Sequence, residues 1–381
     1  MIAHAAVRTE DWLDLACRGL APMYDPQTGL FCFKAKRASN GLGREGQSPR
    51  YSAITLLGLH RLEQAGGQAP VEIMPVLDTL LSNRNWVDNV GDLGLLLWLC
   101  AEVAPEKMEF LDRRLRASEV QGSYSDLADG RTMELAWLLT GLCHWALACP
   151  GQMRRLQPLA THIYIRLTNN QGKYGIFSHA ARNGSLAGKF RGWIGSFADQ
   201  VYPIYAMSRF AEAYEDSEAR ARALLCARAI CDAQGDKGQW WWHYDSSTGQ
   251  VINGYPVFSV HQHGMAPMAL YAIGDLAGKD FSPWIERGLE WINGNNELHY
   301  DMEDRQRHVV WRCIGRKSSG LTSYLSAAVN AESRQSVEVS KGLEVLFECR
   351  PYELGWMLYA FAGRSGPGVP VTSHEVQLSR R

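Results

Sequence analysis

The chain has 381 residues, and its 39 Lys and Arg nearly balance its 40 Asp and Glu, for a formal net charge of −1. That balance argues against a nucleic-acid binder that neutralises many phosphates, and a hydrophobic share of 46% argues against a disordered chain. The longest apolar run, around residues 93–100, is too short to span a bilayer, and MIAHAAVRTEDWLDL at the start has no basic stretch leading into an apolar one.

Helical periodicity begins at residues 10–20, an amphipathic segment, and is followed by a long link over 21–49 carrying the turn YDPQTG. An apolar helix is expected at 50–62, an amphipathic one at 71–82, an apolar one at 90–103 and an amphipathic one at 106–117. After a link over 118–130 the order repeats: apolar 131–147, amphipathic 152–168, a link over 169–196, apolar 197–213 and amphipathic 216–233. The next link, 234–259, holds WWWHYDSSTG, with a second turn of the YDPQTG kind. Apolar 260–276, amphipathic 283–292 and apolar 351–362 complete the series. The intervening 293–350 is long enough for extra structure, with strands expected at 307–313 and 343–349 and a short helix at 321–331.

Stacked, the apolar cores read YSAITLLGL, GDLGLLLWL, ELAWLLTGL, DQVYPIYAM, QHGMAPMAL and ELGWMLYAF. Helices apolar on all sides are buried on all sides, whereas the amphipathic set wants water on one face. Strict alternation of the two sets is an internal repeat of helical hairpins. The expected fold is therefore all-α, an (α/α)6 barrel (toroid) of six hairpins, with small β-hairpin insertions in loops on one face. Residues 1–363 form a single toroid domain, and 364–381 a loose tail. The nine cysteines form no C-x-x-C pair and read as reduced, buried thiols of a cytoplasmic protein.

The long links all enter apolar helices, so they gather at the N-terminal ends of the inner ring, the expected mouth of a site. Polar residues in the first turns of these buried helices need a reason, because burial without partners is costly. They include Arg50 and Tyr51, Asp92, Arg131 and Glu134, Asp199 and Gln200, His261 to His263, and Arg350, Tyr352 and Glu353. Helix capping by the acids is the competing explanation. Trp193, Trp241, Tyr244 and Trp311 fall in the links on the same face, and flat aromatic surfaces suit sugar rings and terpenoid cations alike. His261 and His263 are two apart on a helix and diverge, so no metal is expected there. No cofactor-binding motif is found.

The hairpin repeat, with segments such as SPRYSAITLLGL and GQWWWHYD followed by HQHGMAPMAL, resembles the α/α-toroid superfamily over about residues 10–362. Its branches include six-hairpin glycosidases, toroidal polysaccharide lyases, N-acyl-glucosamine and cellobiose 2-epimerases, the C-terminal part of glucuronyl C5-epimerases, and squalene-cyclase and prenyltransferase toroids. The resemblance implies the fold and assigns no branch, and it carries over no catalytic residue.

Weighing the chemistry favours a carbohydrate-active enzyme on a glycan or oligosaccharide, anionic and uronate-type given the Arg-rich mouth. It would act by glycosidic cleavage, as hydrolase or lyase, or by epimerisation. Catalytic candidates are Glu134, Asp199, His261, His263 and Glu353. Substrate-binding candidates are Arg50, Tyr51, Arg131, Trp193, Trp241, Tyr244, Trp311, Arg350 and Tyr352. A terpenoid cyclase acting on a prenyl substrate is the alternative, although D-x-D-D and D-D-x-x-D are absent. A non-catalytic glycan-binding toroid is a third. The expected partner is the small-molecule or glycan substrate, with no nucleic acid and no membrane span, and a homo-oligomer is compatible with the chain.

Overall fold

The computed structural model describes residues 9–39, 41–83, 85–108, 111, 130–181, 192–317 and 342–364. The inner helices are α2 (Pro49–Gln64), α4 (Val90–Val103), α5 (Thr132–Ala148), α7 (Ala198–Tyr214), α9 (Ala266–Ala277) and α11 (Pro351–Phe361). Between and outside them lie α1 (Thr9–Leu20), α3 (Ile73–Ser82), α6 (Met153–Thr168), α8 (Ser217–Asp232) and α10 (Ser282–Ile292). Of the amphipathic helix expected at 106–117 only residues 106–108 and 111 are described, its start lying in a 3-10 turn over Pro105–Lys107, and the short helix at 321–331 and almost all of the C-terminal tail fall outside the described residues.

The inner helices close on themselves. Helix α2 packs on α4, α4 on α5, α5 on α7, α7 on α9, α9 on α11, and α11 back on α2. Small residues set the spacing of the ring. A Cβ on Gly94 would lie 2.3 Å from Leu138 Cα, and one on Gly58 would lie 2.1 Å from the Gly355 carbonyl oxygen. Only glycine lets these helices approach backbone to backbone. The first and last inner helices are thus joined through Gly58 and Gly355, which makes the ring a closed toroid rather than an open solenoid.

Aromatic side chains fill the axis. Trp98 stacks on His144 and Tyr205 at 5.2 and 5.0 Å and lies 5.5 Å from Trp356, whose Nε1 donates to Tyr202. Burying such rings removes large apolar areas from water, at about 25 cal/mol per Å2. The plug separates the mouth from the opposite end, the base.

The links on the mouth face carry short antiparallel strands. β1 (Tyr24–Asp25), β2 (Leu30–Ala38) and β3 (Gly41–Gln47) form a meander, and the strand Glu348–Cys349 pairs with β2. The first and last links therefore share one sheet across the seam of the ring. The two similar turns match in detail. Gly29 and Gly249 both have positive φ and donate to the Asp25 and Asp245 carbonyls, and each Asp carboxylate accepts from the N–H two residues on. The strand expected at 307–313 appears as β4 (Val309–Val310) and β5 (Cys313–Arg316), and that at 343–349 as β6 (Leu343–Leu346) and β7 (Glu348–Cys349).

One inner helix departs from expectation. Where a continuous α-helix is expected from 260, residues His261–Met265 form a π-turn before α9. Pro267 has no N–H, so the His263 carbonyl lacks its usual partner, and the Ala266 N–H bonds His261 five residues back. All nine cysteines are free thiols, seven of them buried. Among the described residues no helix is long and apolar enough to cross a membrane.

Candidate active site at the mouth of the toroid

The first turns of α5 and α7 bring Glu134 and Asp199 to the mouth. Both are nearly sealed from solvent, at 9% and 1% exposure. Each keeps one buried carboxylate oxygen, Glu134 Oε2 and Asp199 Oδ1, without a hydrogen-bond partner. Burial pushes Glu134 above the usual carboxylate range, and the negative charge of Asp199 adds to the rise, whereas His179 and Arg131 oppose it. The two acids therefore sense each other across the gap between neighbouring helices.

Asp199 is held from three sides. Its Oδ2 accepts from the Ser196 N–H at 2.8 Å and from Ser196 Oγ at 2.8 Å, and it lies 3.1 Å from His179 Nδ1. Pro203, four residues on, withdraws the N–H that would otherwise bond the Asp199 carbonyl. His179 sits on the link between α6 and α7. Its N–H donates to Ile194, and its carbonyl accepts from the Thr132 N–H at the start of α5. Gln200, fully buried, clamps this link by exchanging two hydrogen bonds with the Phe177 backbone. His179 and Ser196 were not among the sequence candidates. They lie on a link rather than on a helix turn, where period carries no signal.

Arg131 N-caps α5, is exposed, and lies 3.9 Å from Glu134. Arg50 is tied to Asp92 by a two-pronged pair at 2.6 and 2.9 Å, with Asp92 wholly buried, and its guanidinium lies over Trp137. Tyr51 is stacked between Phe33 and Tyr352, and its hydroxyl accepts from Arg350. Trp193 and Trp241 are half-buried. The Trp193 carbonyl accepts two bonds from Ser246, and the Trp241 ring meets Tyr255 edge-on.

Five further candidates are packed in the interior or engaged in capping. Glu353 is 1% exposed, completes the N-terminal box of α11 with Arg350, and pairs with Arg312. It is a capping and ion-pairing group whose oxygens are already engaged. His261 and His263, expected to serve as acid or base near neutral pH, are buried at 3% and 1%, and burial drives both down to about 3. His261 lies among Phe197, Trp242 and Phe258, and His263 against Trp12. Tyr244 and Trp311 are core residues at 0% and 1% exposure, because strand alternation turns Tyr244 inward between half-buried His243 and Asp245. Trp242 and Phe258 are half-buried, with their rings 4.8 Å apart. The Trp242 carbonyl accepts from Phe197 at the head of α7. Among the described residues no group of three or more His, Cys, Asp or Glu could hold a metal ion.

The ring of inner helices, the outer layer and the links on one face define an (α/α)6 toroid, and the comparisons agree on that fold. Solved structures that share it include a glycosyl hydrolase family 88 protein from Bacteroides vulgatus. That protein has 14% identity and a TM-score of 0.56 over 94% of this chain and 99% of that one. An unsaturated glucuronyl hydrolase from Streptococcus agalactiae matches at 12% identity and a TM-score of 0.57, over 95% and 92% of the two chains. A possible glycoside hydrolase family 105 member from Salmonella enterica serovar Paratyphi A matches at 10% and 0.59, over 95% and 94%. No protein-family model and no curated protein matches the sequence.

Proposed function

We propose that the chain is a glycoside hydrolase acting on an anionic, uronate-type glycan, with Glu134 and Asp199 as its working carboxyls. The observation that carries this reading is the acid pair itself: two buried acids on adjacent inner-helix turns, each with an unpartnered oxygen, in unlike surroundings. Glycoside hydrolysis needs one carboxyl to protonate the leaving oxygen and another to act on the opposite face of the sugar. Glu134, raised by burial and by the charge of Asp199, keeps its proton to higher pH than an ordinary Glu and serves as the general acid. Asp199, oriented by Ser196 and His179, activates water or attacks the anomeric carbon. Arg131, exposed beside Glu134, offers a cation to a substrate carboxylate.

Two of the fold's neighbours are unsaturated glucuronyl hydrolases by name, which supports a uronate-type substrate. The charged mouth disfavours prenyl chemistry. Proton abstraction by His261 or His263, as a lyase or epimerase would use, is disfavoured because burial among aromatic rings lowers both to about 3 and leaves them weak bases. The test is turnover on a panel of uronyl and neutral oligosaccharides and prenyl diphosphates, read by mass spectrometry. Cleavage confined to glycans, and lost in both E134Q and D199N while binding persists, is the expected result. Prenyl turnover, or tight glycan binding by the wild type without turnover, overturns it.

A further inference from the structure

Glu134 and Asp199 stand in the first turns of α5 and α7, where backbone N–H groups have no intrahelical partner. Neither N-cap residue, Arg131 or Phe197, supplies a side-chain hydrogen bond. Both turns are held instead by a short piece of the link between α6 and α7, residues 177–179.

On the α7 side the Phe177 N–H donates to Gln200 Oε1 at 2.8 Å. Gln200 Nε2 donates to the Phe177 carbonyl at 3.0 Å and to the Ser196 carbonyl at 2.9 Å. Both amide hydrogens are used, which fixes the way the amide faces. Gly195 lets the link come this close, because a Cβ there would lie 1.9 Å from the Phe177 carbonyl oxygen and 2.6 Å from Gln200 Nε2. On the α5 side the His179 carbonyl accepts from the Thr132 N–H at 2.9 Å, and the Ser178 carbonyl accepts from Thr132 Oγ1. Asn170 Nδ2 braces this end, donating to Thr132 Oγ1 at 2.9 Å and to the Gly130 carbonyl at 2.6 Å. Thr132, Asn170, Ser178 and Gln200 are all buried, at 3% exposure or less, so water does not compete for these bonds. Each anchor adjoins a working acid: Thr132 precedes Glu134 by two residues, and Gln200 follows Asp199 directly. The same piece of chain carries His179, whose Nδ1 lies 3.1 Å from Asp199 Oδ2.

We propose that residues 177–179 are a spacer, pinned to α7 by Gln200 and to α5 by Thr132, that sets the distance between the Glu134 and Asp199 carboxyls. Packing between α5 and α7 aligns the two helices, and the spacer fixes their ends. Thr132 and Gln200 are positioning residues and touch no substrate. That the distance serves glycoside hydrolysis, where it decides how water or the nucleophile fits, rests on the reading of the acid pair given above. That the spacer sets it does not.

The test is two NMR measurements on the full chain, neither of which needs turnover. In the wild type the Thr132, Phe177 and His179 N–H groups are expected to exchange with solvent as slowly as the middle of α5, unlike those of an ordinary surface link. Fast exchange of these groups overturns the spacer without any variant. The second measurement follows Glu134 across pH with 13C-glutamate, assigned from E134Q. Burial and the charges of Asp199, His179 and Arg131 act on Glu134, and Arg50 senses it too, so its titration reports its placement. Burial dominates, and a loosened first turn admits water. The titration is therefore expected to move to lower pH in T132V, which keeps the N–H and loses the hydroxyl, and in Q200M. In T132S, which restores the hydroxyl, it stays with the wild type. A titration unmoved in either T132V or Q200M, or moved as far by T132S, overturns the spacer. On a uronyl oligosaccharide, kcat of T132V is expected to fall roughly 10²-fold with KM little changed. A wild type without turnover would overturn the hydrolase reading alone, and the titration would still judge the spacer. If the variants do not fold, the exchange measurement decides.

Discussion

Glu134 is raised by burial and by Asp199, so it keeps its proton to higher pH than an ordinary Glu. As general acid it must be protonated, and the rate falls as pH rises through its raised value. Replacing it with Gln is expected to cost roughly 10²–10⁴-fold in kcat and to remove that alkaline limb. A substrate with an activated leaving group recovers most of the loss. A pH profile of kcat/KM for wild type and E134Q checks this. Asp199→Asn is expected to lose activity on both substrate types, because it acts on the other side of the bond. Glu134 and Asp199 were legible in the sequence as polar residues opening apolar helices. His261 and His263 looked the same but lie in a π-turn with their rings against Phe197, Trp242, Phe258 and Trp12. His179 was illegible because only the tertiary clamp of Gln200 on its link carries it to Asp199.

At the scale of elements, alternation of apolar and amphipathic segments specified the toroid because burial on all sides and on one side leave different patterns. The edges of the link strands were harder to read, since segments of two to four residues have too little period. Two substitutions test the packing. Gly94→Ala drives a methyl into the Leu138 backbone and is expected to destabilise by about 1–3 kcal/mol or more, read as a lowered urea midpoint. Glu353→Ala leaves Arg312 buried with only Glu348, 3.3 Å away, and an open cap on α11. Its expected cost is about 3–5 kcal/mol in stability, with kcat of the folded fraction unchanged. A catalytic loss at full stability would return Glu353 to the active site.

Across the whole molecule, His144, His261 and His263 are buried and held near 3, against 6.5 for a free imidazole. Between these values the unfolded chain binds more protons than the folded one, so stability is full above about 6.5 and falls as pH drops. Each histidine contributes up to about 1.4 kcal/mol per pH unit. The raised Glu134 and Glu353 act in the opposite sense and offset part of this. Urea midpoints at pH 7 and pH 5 are expected to differ clearly, with the lower at pH 5; equal midpoints would contradict the burial of these rings. The central claim is that the mouth is a hydrolytic acid pair, and its most direct test is product analysis in H2(18)O on uronyl oligosaccharides. The account predicts one labelled oxygen per bond cleaved, with product formation slowed roughly 10²–10⁴-fold in E134Q. Unlabelled products of elimination, or an epimerised chain with no cleavage, would contradict it.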